Sequence, residues 1–341
     1  MGIQADAYIT VNPSFIEPEL ILQYSQVSGF LDLMADQQLR VRLAEDDLVV
    51  YMKQLNLRTK MAAGQASYNE LPGVDIMATM FSTATYLLQV RAEWNHHDVA
   101  AGGRWGFAVP EAYRLGGRQG HFQLARDAAL FGFNPQIGEG IVNAPGTTTV
   151  PLPPDTNGND TVVTYDNGEM AFFVASQVLA LKQRTYQLGM GRLFCILGPQ
   201  RTLGLFEYNV VQLVQFQRIG AGTTSTAGTF KSILMDNGDT LLWAYDDTLQ
   251  GAGGNADTDV VLLVMPEVEK PATDKPVNTN IFASMSPGNK VCVTQYCDMA
   301  APREIVSPLA GGATDFLQEW RITSGWTPRP QAVTQILMVY S

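Results

Sequence analysis

The sequence predicts an α+β protein, and three observations carry that prediction. The stretch from Val74 to Trp94 alternates like a β-strand, and two segments, His121–Phe133 and Glu169–Leu188, carry apolar residues at helical spacing. Strand-like and helical segments do not alternate regularly, so no parallel βαβ series is expected. The strand is the most informative of the three. Ile76, Ala78, Met80, Ala84, Tyr86, Leu88, Val90, Ala92 and Trp94 share one side. Asp75, Thr79, Thr83, Thr85, Gln89, Arg91 and Glu93 share the other, where Met77, Phe81 and Leu87 add apolar groups. Fully extended, the segment spans roughly 65 Å at ~3.3 Å per residue, against about 17–20 Å for an ordinary strand. A compact core has little room for such an element. A subunit that lays a ribbon across its neighbours does, so the pattern predicts a shell or filament protein before any motif is considered.

In chain order, residues 1–35 read as an arm punctuated by Asn12-Pro13 and Glu17-Pro18, with a short amphipathic piece from Glu19 to Leu33. Strand-like text around Val41 and Val49-Val50 leads into a polar stretch with Lys53, Arg58, Lys60 and Gly64, closing at Leu71-Pro72-Gly73. A strand out, a loose tip and the long strand back describe a projecting β-hairpin. Ala101-Gly102-Gly103 then breaks the chain and Pro110-Glu111 opens a short helix. The helix at His121–Phe133 rests on Leu124, Ala125, Ala128, Ala129 and Phe131, and Gly132 with Asn134-Pro135 ends it. GEGIVNAPG, residues 138–146, reads as a glycine-rich turn holding a short apolar strand, and residues 147–166 as a loop-like crossover.

The next helix carries the stripe Met170, Phe173, Val174, Val178 and Leu181, with Lys182 and Arg184 suited to its C-terminal dipole. Arg192–Leu197 is a buried-strand candidate. Further strands are expected at 209–215, 230–235, 240–245 and 260–265, with Asp236-Asn237-Gly238 as a hairpin turn. A Gly-rich loop at 249–257 and a crossover at 267–276 precede strand-like text at 290–296, 320–322 and 333–340.

Composition bounds the function. The chain has 341 residues, 46% of them hydrophobic and only 16% charged, against a usual charged share of about 25%. Interface cores are depleted in Lys, Glu and Asp, so the composition predicts a surface largely buried against partners. A net charge of −11 argues against a dedicated nucleic-acid binder, which shows a basic face, although it suits a container wall that repels packed DNA. Arg114, Arg118 and Arg126 form a candidate local basic patch. The three cysteines, Cys195, Cys292 and Cys297, lack paired CxxC motifs, which predicts neither a disulfide framework nor a zinc site, and folding in a reducing cytoplasm. The N-terminal text MGIQADAYIT has no signal-peptide pattern, Asp6 stands where a myristoylation motif wants Ser or Thr, and no run of about 18 apolar residues predicts a membrane span.

No motif assembles a catalytic centre. His96-His97-Asp98 places adjacent histidines on opposite faces if the strand continues, and His121 lies elsewhere in sequence, so three metal ligands are not apparent. Gly222–Ser232 has Thr229 where a phosphate loop needs Lys, and Gly189-Met190-Gly191 lacks a third glycine and follows a helix. Cys195 reads as a small core hydrophobe. Cys292 and Cys297 with Asp298 form a weaker redox or metal candidate than a packing one. Glu45-Asp46-Asp47 and Asp246-Asp247 read as solvated turns. Asn159-Asp160-Thr161 matches a glycosylation acceptor that has no secretion signal to accompany it. No catalytic, cofactor-binding or metal-ligating residue is assigned, and no cofactor is expected.

The long strand Val74–Trp94, the helix at His121–Phe133, the exit GEGIVNAPG and the text LPPDTNGND at Leu152–Asp160 together resemble tailed-bacteriophage major capsid proteins of the Hong Kong ninety-seven fold, in the encapsulin-like branch. The order of elements matches over the whole chain and most sharply from Leu71 to Asp160, and the insert around 209–257 is longer than that family's pattern. The resemblance implies an N-terminal arm (1–37), an extended β-hairpin loop (38–95), a peripheral domain with a spine helix (96–149 and 271–341) and an axial domain (150–270). It implies a non-enzymatic virion protein that assembles, in the host bacterial cytoplasm, as hexamers and pentamers into an icosahedral head around double-stranded DNA. Portal, scaffolding and cement or decoration proteins are the implied partners, with non-specific DNA contact and no membrane. Some relatives cross-link through Lys and Asn. Lys53 and Lys60 lie in the corresponding loop, and no partner Asn or catalytic carboxylate is identified. About thirty-five residues precede the hairpin, too few for a cleaved scaffolding segment, which implies a separate scaffold or an already mature chain. Leu88 and Val90 are the positions expected to carry the intersubunit ribbon contact. An encapsulin-type compartment, another virion component such as a tail or decoration protein, and an enzyme of unfamiliar α+β fold are the competing readings.

Overall fold

The alternating stretch folds as one 22-residue strand, Val74–Asn95, and the molecule is arranged around it. The computed structural model describes residues 28–34, 42–59, 74–104, 106–185, 187, 191–208, 210–211, 224–225, 228, 231, 238–269 and 290–341. In chain order these form β1 (Arg42–Leu43), β2 (Val49–Thr59), β3 (Val74–Asn95), α1 (His96–Arg104), α2 (Val109–Leu130), β4 (Thr148–Pro151), α3 (Asn167–Thr185), β5 (Leu193–Gly198) and α4 (Gln200–Tyr208). They continue with β6 (Val210–Val211), β7 (Thr224–Ser225), β8 (Thr240–Tyr245), β9 (Thr258–Val264), β10 (Glu267–Glu269) and β11 (Lys290–Cys292). The last four are β12 (Asp298–Met299), β13 (Arg303–Pro308), β14 (Ala313–Thr323) and β15 (Val333–Val339). One sheet has the order β1-β12-β14-β3-β2 with β13 also on β14, and a second has the order β4-β15-β9-β5-β8. Two small pairs, β6-β7 and β10-β11, stand apart.

The long strand changes partner halfway. Its second half pairs antiparallel with β14, from Thr85 opposite Thr323 to Asn95 opposite Ala313. Among the described residues its first half pairs only with β2, from Val74 opposite Thr59 to Ala84 opposite Val49. One continuous strand is thus half sheet and half free ribbon. At the far end, Asn95 and Asp98 cap the start of α1 reciprocally, each side chain accepting from the other's backbone N–H at 2.9 and 3.0 Å, a capping-box exchange.

Helix α2 lies across the supported half of the sheet. Alternation puts Phe316, Gln318, Trp320 and Ile322 of β14 beneath it, all buried. Trp94 stacks on Tyr113 at 5.6 Å and tilts against Phe316 at 5.5 Å, while His121 stacks flat on Trp320 at 4.8 Å. Gly117 permits this approach, because a Cβ there would come 2.0 Å from Gln318 Oε1. Gly325 does the same at the helix end, where a Cβ would come 2.1 Å from the Ala129 carbonyl oxygen. Burial lowers the His121 pKa, only partly opposed by the Asp298 charge, so the ring is neutral at pH 7.

The second sheet holds the main core. All seven residues of β9 are buried, as a strand covered on both faces requires. Helices α3 and α4 cover one face, where Arg184 donates to Thr334 Oγ1 at 2.5 Å and Thr202 donates to Asp259 at 2.5 Å. The other face meets Phe30–Leu33 and the turn after α2, where Gln335 donates to the Val142 carbonyl at 2.6 Å and Gly29 packs on Ala244. Two buried carboxylates fasten loops to this layer. Asp239 pairs with Lys182, and Asp259 takes Arg201 at 2.5 Å, Thr202, and the Gly251 N–H at 2.9 Å. Burial pushes the Asp259 carboxyl up, and those hydrogen bonds more than reverse this, holding it below the usual carboxylate range.

Several expectations need correction. Pro110-Glu111 and the helix expected at His121–Phe133 belong to one helix, α2, which ends at Leu130 and runs through Gly116, Gly117 and Gly120 because its packing on β14 outweighs glycine's helix cost of about 1 kcal/mol each. Gly102 and Gly103 do not break the chain but lie inside α1. Residues 138–146 hold turns and no strand, their backbone bonding the end of α2 instead through Ile141 N–H to Ala129 and Val142 N–H to Leu130. The loop-like crossover contains β4, and Glu267–Glu269 is a strand rather than a crossover. The helix expected at Glu169–Leu188 runs from Asn167 to Thr185, Leu188 lying outside the described residues. Strands at 240–245, 260–265 and 333–340 correspond to β8, β9 and β15. Most of 209–215 and 230–235, and Asp236-Asn237, lie outside the described residues. Strands β12 to β14 lie in the sheet of β3, whereas β15 bonds β9 and β4 in the second sheet, so residues 333–339 and residues 298–323 belong to different sheets.

Two outcomes follow from α2. Gly116 has open space where a Cβ would be, so Gly116→Ala stabilises the chain by about 0.5–1 kcal/mol. Gly325→Ala costs about 1–3 kcal/mol, because a backbone carbonyl must move. Chemical denaturation of both variants checks the pair. A histidine with a lowered folded pKa contributes stability that is present above about pH 6.5 and lost as pH falls through its folded value. Stability therefore declines from pH 7 to 5, and His121→Phe, which keeps the stack, flattens that decline in urea melts run across the range.

Candidate assembly surface

The free half of the hairpin carries a group of exposed apolar side chains. Directly opposed residues share a face, so Val49, Tyr51 and Met80 lie on one side of the ribbon, and Met77 and Phe81 on the other. All five are exposed, Met80 at 61% and Phe81 at 57%. A two-stranded hairpin is marginal alone in water, and each such side chain is worth about 1.5–3 kcal/mol once covered. The ribbon's own chain offers it no third layer among the described residues. Leu88 and Val90, the positions expected to carry the ribbon contact, instead stand on the half paired to β14, opposite Trp320 and Gln318.

A second exposed apolar stripe runs along α3. Met170, Val174, Val178 and Leu181 face the core, while Phe172 at 72% and Leu179 at 53% exposure point away with Ser176 and Gln183. This outer stripe is uncharged. On α4, Tyr208 is 83% exposed.

The root of the hairpin is built around Glu139, a residue sequence reasoning passed over. Its buried carboxylate accepts from the Tyr86 hydroxyl at 3.0 Å, the Asn134 N–H at 3.0 Å and the Ser324 hydroxyl at 2.6 Å. Burial and the neighbouring Glu139 raise the Tyr86 pKa. The signal for this site was present in the three glycines around it. Gly132, Gly138 and Gly140 all have positive φ, which only glycine adopts without strain.

The chemical candidates are dispersed. His96 and His97 sit at the exposed start of α1 with rings 3.9 Å apart, Asp98 is spent on the helix cap, and His121 is stacked beneath α2. Among the described residues no group of three or more His, Cys, Asp and Glu side chains is placed to hold a metal. Cys195 is buried and its thiol is pushed well up by burial. Cys297 is buried as well, and the Cys292 side chain lies outside the described residues. Asp246 is not a solvated turn residue but is buried, accepting from Ser28 and from the Thr248 N–H. Asp47 caps its own turn and Glu45 pairs with Arg303 at 3.1 Å. Of the basic trio, Arg114 is matched by Glu111 and Glu304 and Arg126 by Asp127, while Arg118 is exposed. Of Gly222–Ser232, the described part includes β7, paired with β6. Asn159 bonds Asp155 inside its loop.

A cleft of about 340 Å³ opens between α4 and Tyr245. Its charged groups are already engaged. Arg201 is held by Asp259, and burial with Glu207 beside it pushes the Tyr245 hydroxyl up to about 12. No described helix is long and apolar enough to cross a membrane.

No protein-family model matches the chain, and no curated protein matches it. Solved structures do. The capsid of Myoviridae phage XM1 is matched over 95% of this chain and 96% of its own, with a TM-score of 0.67 at 9% identity. The capsid of a native GTA particle is matched over 99% and 98%, with a TM-score of 0.57 at 14% identity. The capsid of cyanophage P-SCSP1u is matched over 96% and 93%, with a TM-score of 0.54 at 12% identity. At such identities the likeness is one of fold, and it runs from end to end: the chain has the α+β fold of tailed-phage capsid proteins.

Proposed function

We propose that this chain is a major capsid protein that assembles into the icosahedral head enclosing the double-stranded DNA of a tailed bacteriophage. The observation that carries the reading is the free hairpin, an apolar ribbon without a third layer among the described residues, on a chain whose fold matches phage capsids over nearly its whole length. Its role is structural: the subunit offers surfaces to other copies rather than a reaction centre. The ribbon reaches over a neighbouring copy and buries Tyr51, Met77, Met80 and Phe81 there. The outer stripe of α3 faces a neighbour around a five- or six-fold axis. Weak contacts of this kind add up through closed symmetry.

In this reading residues 1–37 are the arm and 38–95 the extended loop. Residues 96–149 with most of 271–341 form the peripheral domain, and 150–270 with β15 form the axial domain. Hexamers and pentamers of the chain form the wall, joined by a portal and a scaffold and located in the virion after assembly in the bacterial cytoplasm. The acidic balance of −11 keeps packaged DNA from adhering to that wall.

Expression of the chain in bacteria, followed by negative-stain electron microscopy of the clarified lysate, tests the proposal. Closed shells or rings of five or six copies are the expected result, and nuclease-protected DNA in particles made with the portal and scaffold separates a phage head from a cargo compartment. A chain that stays monomeric with its scaffold and under crowding contradicts the reading. Phe81→Asp and Met80→Asp each remove a contact worth about 1.5–3 kcal/mol, a loss of more than about tenfold per contact. Both variants are expected to give folded subunits with unchanged melting and no shells. Normal shells from both would remove the ribbon from the assembly.

A further inference from the structure

The long strand changes partner at one step. Thr85 is the last residue of β3 paired to β14, and Ala84 the first paired to β2. A side chain on each face holds that point. On one face the Thr85 hydroxyl donates to the Asp47 carbonyl at 2.6 Å and accepts from Arg321 at 3.1 Å. On the other, the Tyr86 hydroxyl lies 3.0 and 3.1 Å from the two carboxylate oxygens of Glu139.

Glu139 takes donors from three stretches of the chain that also touch one another nearby, through the Phe133 N–H to Ser324 and the Tyr86–Phe133 ring contact. Tyr86 comes from the strand, Asn134 from just beyond α2, and Ser324 from just beyond β14. Among the described residues no lysine or arginine pairs with it. A buried carboxylate without a cation is costly unless hydrogen bonds satisfy it, and these donors do so only while the three pieces stay together. The turn that carries Glu139 is itself rigid. A Cβ on Gly132 would come 2.6 Å from Glu139 Cβ, and one on Gly140 would come 2.3 Å from the Phe131 carbonyl carbon.

We infer that Glu139 is the joint that sets the direction in which the hairpin leaves the body. Its bond to Tyr86 fixes the end of the β14-paired half of β3 against the ends of α2 and β14, beside the point where the ribbon begins, and releasing that bond lets the ribbon swing about the Ala84–Thr85 step without unfolding the subunit. The consequence rests on the capsid reading, since ribbon direction decides which closed shell the copies make. The joint itself belongs to the single chain.

The test uses unassembled subunits and distance distributions between spin labels. Labels are placed through non-canonical residues at Ser82 on the ribbon and Arg118 on α2, with a control pair at Arg118 and Ser307. Tyr86→Phe removes only the hydroxyl and keeps the ring contact with Phe133 at 4.5 Å, and Glu139→Gln removes the charge and turns one acceptor oxygen into an NH2 donor. The native protein is expected to give one narrow ribbon-to-body distance. Both variants are expected to broaden it severalfold, leave the control pair narrow, and form shells of mixed diameter. An unchanged ribbon distance in Tyr86→Phe overturns the joint, and so does equal broadening of the control pair, which would mark a general structural bond. Broadening in a protein that never forms shells contradicts the capsid reading alone. Uniform shells with an unchanged distance contradict the joint alone.

Discussion

A single strand that must serve two partners is the constraint on which the rest of this molecule depends. From Thr85 to Asn95 the strand is bonded to β14 and covered by α2, and from Val74 to Ala84 it has only β2 beside it among the described residues. Strand geometry fixes the face of every residue once the register is set. The pairing that puts Tyr86 and Trp94 against α2 and its flanking loop therefore also decides which sides of the ribbon carry Met80 and Phe81. The body cannot change register without turning the ribbon over.

Polar anchoring does the complementary work. The second sheet is apolar and covered on both faces, and the segments that cover it are tied down by buried carboxylates as well as by their apolar side chains. Asp259 gathers Arg201, Thr202 and Gly251, Asp239 takes Lys182, and Asp246 takes Ser28. Buried charge is tolerable when it is paired and hydrogen-bonded. Glu139 applies the same device at the hairpin root with hydroxyl and amide donors alone. Part of the limited charge in this chain thus serves internal fastening, and the outward stripe on α3 is left uncharged.

What the sequence made legible, and what it hid, follows from which interactions are local. The strand Val74–Trp94 and the stripe of α3 were readable because period two and period 3.6 are properties of adjacent residues. The first half of α2 was not, because Gly116, Gly117 and Gly120 lower local helix propensity and only contact with β14 explains Gly117. Strand β14 was recognised only at Trp320–Ile322, since buried Gln318 interrupts its alternation. His96 and His97 looked like a strand ending, whereas the Asn95–Asp98 exchange makes them a helix start. Of the candidate surface, the long strand was legible, but Leu88 and Val90 fall on the half paired to β14 rather than on the free half, because the sequence does not say where β14 stops. Glu139 was hidden for the same reason: its donors come from three places in the chain, and only the glycines around it left a local trace.

The most direct test of the central claim, that the ribbon's apolar faces are covered by another copy, is photo-cross-linking from position 81 in assembled particles. The copies are mixed from isotopically heavy and light preparations. Cross-linked peptides that pair heavy with light chains, joining the ribbon of one copy to the body of another, are the predicted result. Cross-links confined to chains of one isotope would mean that the ribbon folds back on its own subunit, and would contradict the account.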